Sequence, residues 1–344
     1  MKRLLFLLLF AALGQAATAQ SPETWPGNLR IVLDNTKPLA TPRGGRLPLF
    51  VLPIGGSLSG LPDDQTAKAL DELAKRGIGY SVRWSASSFE ALLKEGLRIG
   101  AMQQRIGMPV AVDATGCLHS FFDGTAKTQH VDEEGMPFAE KSFGGTMGCP
   151  FTLEHRIPVI RQRIEAFLKK YKSAGVATDF VFADWEIDGP IEWNDAWASS
   201  KRCRRCREHV PDIDNFRKFQ IELRKIRSRL QRVAFGDNVI RFFPEALVGN
   251  YGVYPHNGHR YWYDYFERET PGAPALADQK ARYREWSHEF DPCGYTFAMP
   301  VVYTWYPTFG WYDFEPKDYR WFYNMLLTAS NAGRHTPQQT PIIP

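Results

Sequence analysis

Two acidic residues, Asp184 and Glu186, follow a short apolar run that has the composition of a β-strand. Because alternate residues of a strand point to the same face, this spacing places both carboxylates side by side at a strand end. Such a pair can divide acid and base roles, as sugar-cleaving sites require. Trp185 and a further acid, Asp188, accompany the pair. The pattern predicts a glycosidase site, and a solvated strand end or a helix N-cap is the alternative.

The spacing also limits the roles that the two carboxylates can take. Neighbouring positions on one strand face are too close for a water-separated inverting pair. We therefore predict that Glu186 is the general acid, with a pKa raised by Asp184 and by aromatic burial. Asp184 would hold and orient the reacting group of the substrate. Glu245, in Phe-Phe-Pro-Glu, is the candidate second carboxylate, and a loop acid is the alternative interpretation.

Short apolar runs alternate with helix-length segments along the chain, a pattern typical of βα units and a parallel sheet. Without an internal repeat or a charged linker, the sequence predicts one domain over residues 21–344, a (β/α)8 TIM-type barrel. The predicted strands are Leu49–Pro53, Ile78–Trp84, Pro109–Asp113, Asp179–Asp184, Val239–Pro244 and Gly294–Tyr303. The predicted helices are Asp63–Arg76, Phe89–Ile106, Pro158–Ala174, Ile213–Phe235 and Pro316–Gly333. Residues 340–344 resemble the opening of a seventh strand, so we expect an irregular barrel or one truncated after strand six or seven.

The active site of such a barrel lies at the C-terminal ends of its strands. Arg83 and Trp84 leave strand two and Asp113 ends strand three, so we predict that they contact substrate, Asp113 alternatively being structural. A long loop over 114–150 would border the same face. Clustered aromatic residues at 251–265 and 303–312 would offer flat platforms for sugar rings. The remaining predicted substrate contacts are Asp188, Tyr251, Tyr254, His256 and Trp305.

The segment Asp184-Trp185-Glu186 resembles the D-[FW]-E signature of hyaluronidases. It is similar, less fully, to the D-x-x-D-x-D-x-E signature of chitinases, in which Phe182 here replaces one acid. Two later stretches, 250–266 and 298–303, are similar in order to the hyaluronidase segments F-Y-G-F-P-D-C-Y-N-Y-D-F and A-L-Y-P-S-I-Y. The cysteine of the first segment is absent, and the residues after Glu186 depart from the E-W-R-P of the family.

The resemblance implies a retaining, substrate-assisted mechanism. The 2-acetamido oxygen of the substrate would attack the anomeric carbon while Glu186 protonates the leaving oxygen. Asp184 and Tyr303 would position the acetamido group, and Tyr251 would line the same pocket. A substrate without an N-acetyl group would instead need two carboxylates, Glu186 and Glu245. A barrel that binds carbohydrate without cleaving it is the alternative from another class.

Residues 1–20 have the features of a cleavable secretory signal. Lys2 and Arg3 precede an apolar run, and Ala17-Thr-Ala19 supplies small residues for cleavage. We therefore expect a secreted or periplasmic protein with no stable membrane insertion, because the apolar run is too short to span a bilayer. The net charge of +4 is too small to indicate a nucleic-acid partner. The expected partner is a polysaccharide or glycan, and the sequence says nothing of oligomeric state.

The chain has five cysteines, and one or two disulfides are expected in an exported protein. Cys203 and Cys206 form a C-x-x-C motif, to which His209 could add a third metal ligand. A structural zinc site needs four ligands, and the sequence has no second C-x-x-C. We therefore predict no metal and no cofactor, with a zinc-bearing protein as the last alternative. The pairing of the cysteines, which are Cys117, Cys149, Cys203, Cys206 and Cys293, does not follow from the sequence.

Overall fold

The structure is a computed structural model. It describes residues 25–43, 46–52, 58–119, 125–138, 140–142, 145–185, 196–251, 255, 258–259, 283–284, 287–299 and 339–343. Its strands are β1 (Phe50–Leu52), β2 (Ile78–Ser85), β3 (Ala111–Gly116), β4 (His130–Val131), β5 (Pro137–Phe138), β6 (Glu140–Ser142), β7 (Gly145–Met147), β8 (Phe180–Asp184), β9 (Leu247–Tyr251), β10 (Gly258–His259) and β11 (Tyr283–Arg284). Its α-helices are α1 (Gly27–Asp34), α2 (Asp63–Lys75), α3 (Phe89–Arg105), α4 (Arg156–Ser173), α5 (Ala196–Arg202), α6 (Arg204–His209), α7 (Phe216–Gln231), α8 (Asp237–Phe242) and α9 (Ser287–Cys293).

The helices start and end where local chemistry favours it. Helix α2 begins directly after Pro62 and carries Asp63 and Asp64 in its first turn, which suits the positive end of the helix dipole. Helix α7 begins at Asn215, whose side chain accepts a hydrogen bond from the backbone N–H of Lys218 at 3.2 Å. The helices are amphipathic, and their apolar faces pack against one face of the central sheet.

The central sheet has five parallel strands in the order β1-β2-β3-β8-β9. Two further parallel bridges extend this order, from Tyr251 to Met299 and from Ala298 to Ile342. Ala298 and Met299 of the predicted sixth strand and Ile342 of the predicted seventh thus take part in parallel bridges, and full strands at these two places stay a prediction. Neighbours in this sheet follow one another along the chain, with no reversal of order. That order is the one a (β/α) barrel requires, whereas a doubly wound sheet reverses it. The mixed α/β class is confirmed, and closure into eight strands stays a prediction.

The sheet has two faces with different cores. One face, here called the inner face, carries a small apolar cluster of residues from several strands: Ala111, Phe180, Phe182, Phe297 and Ile343. Leu47 and Val51 near β1 pack against the same cluster, so both edges of the sheet contribute to it. The other face lies under the helices and belongs to the main core, with Val112 from β3, Val181 from β8 and Val248 from β9. This strict alternation decides which side chains can reach an inner site.

Gly249 shows how tightly the inner face is filled. A Cβ atom at this position would lie 2.8 Å from the ring of Phe297, too close for any side chain. The aromatic ring from the neighbouring segment therefore occupies the space that a side chain on β9 would need.

The fifth strand is where the sequence prediction was wrong. Residues 237–242 form helix α8, and the strand is Leu247–Tyr251. A short apolar run such as Val-Ile-Arg-Phe-Phe fits a buried helix as well as a strand. Gly249 and Asn250 disfavour a strand locally, and tertiary contacts override that preference. The predicted last helix, Pro316–Gly333, lies outside the described residues.

Two long connecting segments, here called excursions, follow the C-terminal ends of β3 and β8 and lead to α4 and α7. The first, residues 117–155 between β3 and α4, contains β4–β7, and β4 pairs with β5 as an antiparallel hairpin. The second, residues 185–215 between β8 and α7, contains α5 and α6. Among the described helices, none combines the length and the apolar character needed to cross a membrane.

Candidate functional site

Four polar side chains from neighbouring strands share the inner face at its C-terminal edge. Arg83 on β2 pairs in register with Asp113 on β3, and Asp113 pairs with Phe182 on β8. Asp184, two residues beyond Phe182, pairs with Tyr251 on β9. Because the register holds across these strands, the four side chains project from one face within a few strand spacings. The predicted grouping of Arg83, Asp113, Asp184 and Tyr251 is thus present in the fold.

The main chain of Asp184 is fixed from the neighbouring strand. Its backbone N–H donates a 2.8 Å hydrogen bond to the hydroxyl of Thr115. The backbone N–H of Thr115 donates in turn to Asp113 Oδ1 at 2.9 Å. One carboxylate oxygen of Asp113 therefore fixes the backbone at Thr115. This contact supports the interpretation of Asp113 as a structural residue. Thr115 was missed by the sequence analysis, although its position two residues after Asp113 places it on the same face.

The residue after Asp184 anchors the strand end on the opposite face. Trp185 is fully buried, and the guanidinium of the buried Arg156 lies 5.6 Å from its ring centroid. A cation over an aromatic face is attracted to the ring. The backbone of Asp184 is therefore held on one side by the hydrogen bond to Thr115 on β3. It is held on the other side by the buried ring of the next residue, Trp185.

Trp84 does not belong to this edge. It is fully buried on the helix-covered face, where its ring stacks on Phe167 at 5.1 Å and meets Tyr171 edge-on at 5.0 Å. Arg83 and Trp84 are adjacent in a strand, so they must point to opposite faces. The structure corrects the prediction that both reach substrate: Arg83 is exposed at the inner edge and Trp84 is a core residue.

Glu245 lies at the wrong end of its strand for catalysis with Asp184. It is exposed in the turn that precedes β9, while Asp184 pairs with Tyr251 at the far end. At about 3.3 Å per residue, the two acids are separated by roughly 20 Å along the sheet. The structure therefore corrects the prediction that Glu245 ends strand five, because that predicted strand is helix α8 and Glu245 precedes β9.

Asp179, the first acid of the chitinase-like pattern, has a structural role here. Its carboxylate accepts a 2.6 Å hydrogen bond from the backbone N–H of Val110 at the N-terminal edge of the sheet. The other predicted site residues, Glu186, Asp188, Tyr254, His256, Tyr303 and Trp305, lie outside the described residues.

A buried polar network that the sequence did not reveal supports β9 from the helix-covered face. Asn250 and Tyr295 both donate hydrogen bonds to Gln231 Oε1, at 2.9 and 2.7 Å. Gln231 donates to Glu289, which also forms a 2.9 Å ion pair with Arg224. All five residues are buried, so the network is shielded from solvent and fixes the strand that carries Tyr251.

A second group of reactive side chains lies in the two excursions. His130 and Cys149 from the first excursion meet Cys203 and Cys206 from the second, and one candidate ligand atom from each lies within 4.8 Å of the others. We call these four residues the Cys/His cluster. The Sγ atoms of Cys149 and Cys206 are 3.5 Å apart, and Cys206 Sγ is 3.9 Å from His130 Nδ1. His209, the ligand suggested by the sequence, instead stacks on Phe151 at 5.0 Å.

The thiols of the cluster differ in acidity. Hydrogen bonds with Cys149 and Cys206 hold the pKa of Cys203 far below its usual value, while burial raises that of Cys206. These shifts favour the thiolate of Cys203 over that of Cys206. Cys117 stands apart from the cluster, and burial raises its pKa to about 12, which makes it an unreactive core thiol.

A pocket of about 580 Å³ opens at the opposite, N-terminal edge of the sheet. Its walls include Leu39, Ile78 and Met108, together with Arg43 and Arg46. None of the predicted site residues lines this pocket, so we assign no chemistry to it.

Comparison with known proteins gives no family for the chain. No protein-family model matches it, and no curated protein matches it. Among solved structures, a GH20 exo-β-N-acetylglucosaminidase from Vibrio harveyi, in complex with N-acetylglucosamine, aligns with a TM-score of 0.36 and 9% identity. The alignment covers 77% of this chain, and the chain spans only 42% of that structure. A similarity this low carries no argument about function, and the resemblance to hyaluronidases and chitinases stays a prediction.

Proposed function

We propose that this chain is a glycoside hydrolase whose active site is the C-terminal edge of the inner face. The observation that carries the proposal is the position of Asp184, which is half-buried at the end of β8, held by Thr115 and paired in register with Tyr251. A carboxylate beside an aromatic ring offers a hydrogen-bond acceptor and a flat apolar surface together, which a sugar ring can use at once.

In this proposal Glu186, two residues after Asp184, donates the proton to the leaving glycosidic oxygen. Asp184 accepts a hydrogen bond from the N–H of the 2-acetamido group of the substrate. This bond orients the carbonyl oxygen of the acetamido group toward the anomeric carbon. That oxygen attacks as the bond to the leaving group breaks. Water then opens the cyclic intermediate with retention, and Glu186, now a carboxylate, accepts the proton of that water and so regains its acid form. Asp184 stabilises the positive charge that develops on the acetamido nitrogen.

We propose roles for further residues at the C-terminal edge of the inner face, together with one that the resemblance to hyaluronidases implies. Tyr251 would line the acetamido pocket beside Asp184, and Tyr303 would complete it. Arg83 is exposed on β2 and would bind a hydroxyl or carboxylate of a neighbouring sugar. We place the enzyme outside the cytoplasm because of the signal-like sequence of residues 1–20, and its substrate is a glycan that contains N-acetylated sugars.

The test is release of reducing sugar from N-acetylated and non-acetylated glycans, measured with the unaltered protein, Glu186→Gln and Glu245→Gln. We expect activity on N-acetylated glycans, loss of about 10²–10⁴-fold in Glu186→Gln, and no change in Glu245→Gln. Activity on a glycan without N-acetyl groups would contradict the substrate-assisted mechanism. Binding of a glycan without any turnover would favour a carbohydrate-binding protein instead.

A further inference from the structure

The Cys/His cluster joins two parts of the chain that are far apart in sequence. His130 and Cys149 belong to the excursion that follows β3, whereas Cys203 and Cys206 belong to the excursion that follows β8. All four side chains are buried. We propose that these four residues bind one structural zinc ion, which clamps the two excursions together beside the C-terminal edge of the sheet.

The geometry of the cluster fits a tetrahedral ion. With Zn–S distances of about 2.3 Å, two thiolates of a tetrahedral site lie about 3.8 Å apart. The Cys149–Cys206 separation of 3.5 Å is close to this value. A Zn–N bond of about 2.0–2.1 Å gives a sulfur–nitrogen separation of about 3.6 Å, and Cys206 Sγ and His130 Nδ1 are 3.9 Å apart. All four ligand atoms fall within 4.8 Å of one another, so an ion at their centre reaches each with small side-chain adjustments.

The chemistry of the ligand set selects zinc. Three thiols and an imidazole suit a borderline-soft ion, whereas magnesium and calcium take oxygen ligands. Four protein ligands fill a tetrahedral shell and leave no position open for water or substrate, which is the arrangement of structural zinc sites. Nε2 of His130 is buried with no hydrogen-bond partner among the described residues. Buried polar atoms normally have a partner, so this nitrogen fits an imidazole whose partner is a bound ion.

The backbone around the cluster is already ordered for metal binding. The N–H of Val131 points at Cys203 Sγ at 3.4 Å, a contact that stabilises a thiolate. The N–H of Cys149 donates to the carbonyl of Thr128 at 2.8 Å, which fixes the start of its turn. Arg205, between the two cysteines of the motif, donates to two carbonyls of the first excursion at 2.9 Å. The two excursions are therefore held in contact by direct hydrogen bonds that flank the cluster.

The orientation of His130 is set by stacking. Its ring lies parallel to that of Phe138 across the β4–β5 hairpin, with centroids 5.1 Å apart. The guanidinium of Arg202 lies 4.9 Å from the centre of the same Phe138 ring. The hairpin thus presents an imidazole in a fixed plane to the second excursion, which lowers the entropy lost on binding an ion.

A disulfide between Cys149 and Cys206 is the competing outcome in an oxidising compartment. Their Sγ atoms, at 3.5 Å, would have to close to about 2.05 Å. Such a bond would remove two of the four ligands and would leave Cys203 and His130 buried without a role. Convergence of all four residues is explained by an ion and not by one disulfide.

The experiment is a count of metal and thiols in the full-length protein, purified without chelators and analysed by plasma mass spectrometry. We expect one zinc ion per chain in the unaltered protein and less than about a tenth of that in Cys206→Ser and in His130→Ala. Cys117→Ala removes a buried cysteine outside the cluster and should keep one zinc ion. Its retention would show that loss of metal is specific to the ligands.

A measurement on the unaltered protein keeps the proposal testable if the variants fail to fold. Titration with a mercurial thiol reagent should release the zinc ion in proportion to the cysteines modified. Replacement by cobalt should give the intense absorption of a tetrahedral thiolate complex. Protein that contains no metal and has free thiols at the cluster, or a Cys149–Cys206 disulfide found by peptide mapping, would overturn the proposal. These readouts do not depend on glycosidase activity.

Discussion

The Cys/His cluster and the C-terminal edge of the sheet both gather reactive side chains, and they differ in access. All four members of the cluster are buried and face one another. At the C-terminal edge of the sheet Arg83 is exposed, while Asp184 and Tyr251 are half-buried. A closed group of ligands can stabilise a fold, and an open group on a fixed backbone can meet a substrate.

The two regions also differ in how their side chains are held. The cluster is formed by two segments that are distant in sequence, so its geometry depends on the contacts that hold the two excursions together. The edge depends on strand register and on the Thr115 hydrogen bond, both of which belong to the sheet itself. We therefore expect changes in the cluster to alter stability and changes at the edge to alter catalysis. The following predictions test that division.

The largest effect is expected at Trp84, and Arg83 is its matched control. Trp84→Ala should lower the free energy of unfolding by about 3–5 kcal/mol, because it empties a fully buried ring position. Arg83→Ala, one residue away on the open face, should change stability by less than about 0.5 kcal/mol and raise KM. Denaturant unfolding and steady-state kinetics measure the two quantities. Equal losses of stability in both variants would contradict the assignment of the two faces.

The second prediction concerns Asp184. Asp184→Asn should lower kcat by about 10²–10³-fold, because the neutral amide no longer stabilises charge developing on the substrate. The hydrogen bond to Thr115 should be kept, since the backbone N–H of residue 184 donates it, so the loss of kcat should exceed any loss of stability. Asp179→Ala, directly before the same strand, should lower stability and leave kcat unchanged. It loses the bond to Val110, worth about 1 kcal/mol.

The third prediction concerns removal of zinc from the cluster, and it rests on the proposed site. Chelation should loosen the two excursions by about 2–4 kcal/mol, the range measured when a cross-link that closes a long loop is lost. Hydrogen exchange should therefore speed up in residues 125–138 and 196–209 and stay slow in β3 and β8. Equal acceleration in the strands would mean that the cluster supports the whole fold and not the excursions alone.

Much of the fold followed from the sequence because its elements are long and strongly patterned. Helices α2, α3 and α4 and strands β2 and β8 lie close to their predicted bounds. The fifth strand was misplaced because Val-Ile-Arg-Phe-Phe satisfies both periodicities, while the true strand contains Gly249 and Asn250. Those two residues are explained only by tertiary partners, the ring of Phe297 and the amide of Gln231.

The two regions were predictable to different degrees. The placement of Arg83, Asp113 and Asp184 on one face followed from the sequence, because Asp184 ends a strongly patterned strand and alternate strand residues share a face. The cluster was not found, because its C-x-x-C supplies only half of a zinc site. His130 and Cys149 stand 73 and 54 residues before Cys203, and no spacing rule links them to it. Only the packing of the two excursions brings these residues together.

The smallest effect is expected at Thr115, where it tests whether the edge depends on backbone position. Thr115→Val removes the hydroxyl that accepts the N–H of Asp184 and keeps the side-chain shape. A neutral hydrogen bond is worth about 1 kcal/mol, so kcat/KM should fall roughly fivefold. Thr115→Ser keeps the hydroxyl and should restore most of the rate, which kinetics on the same glycan will measure. If the valine variant loses stability but keeps its rate, Thr115 supports the strand without positioning Asp184. If both variants lose rate equally, the hydroxyl and the methyl group of Thr115 are both needed, and the hydrogen bond alone does not set the position of Asp184.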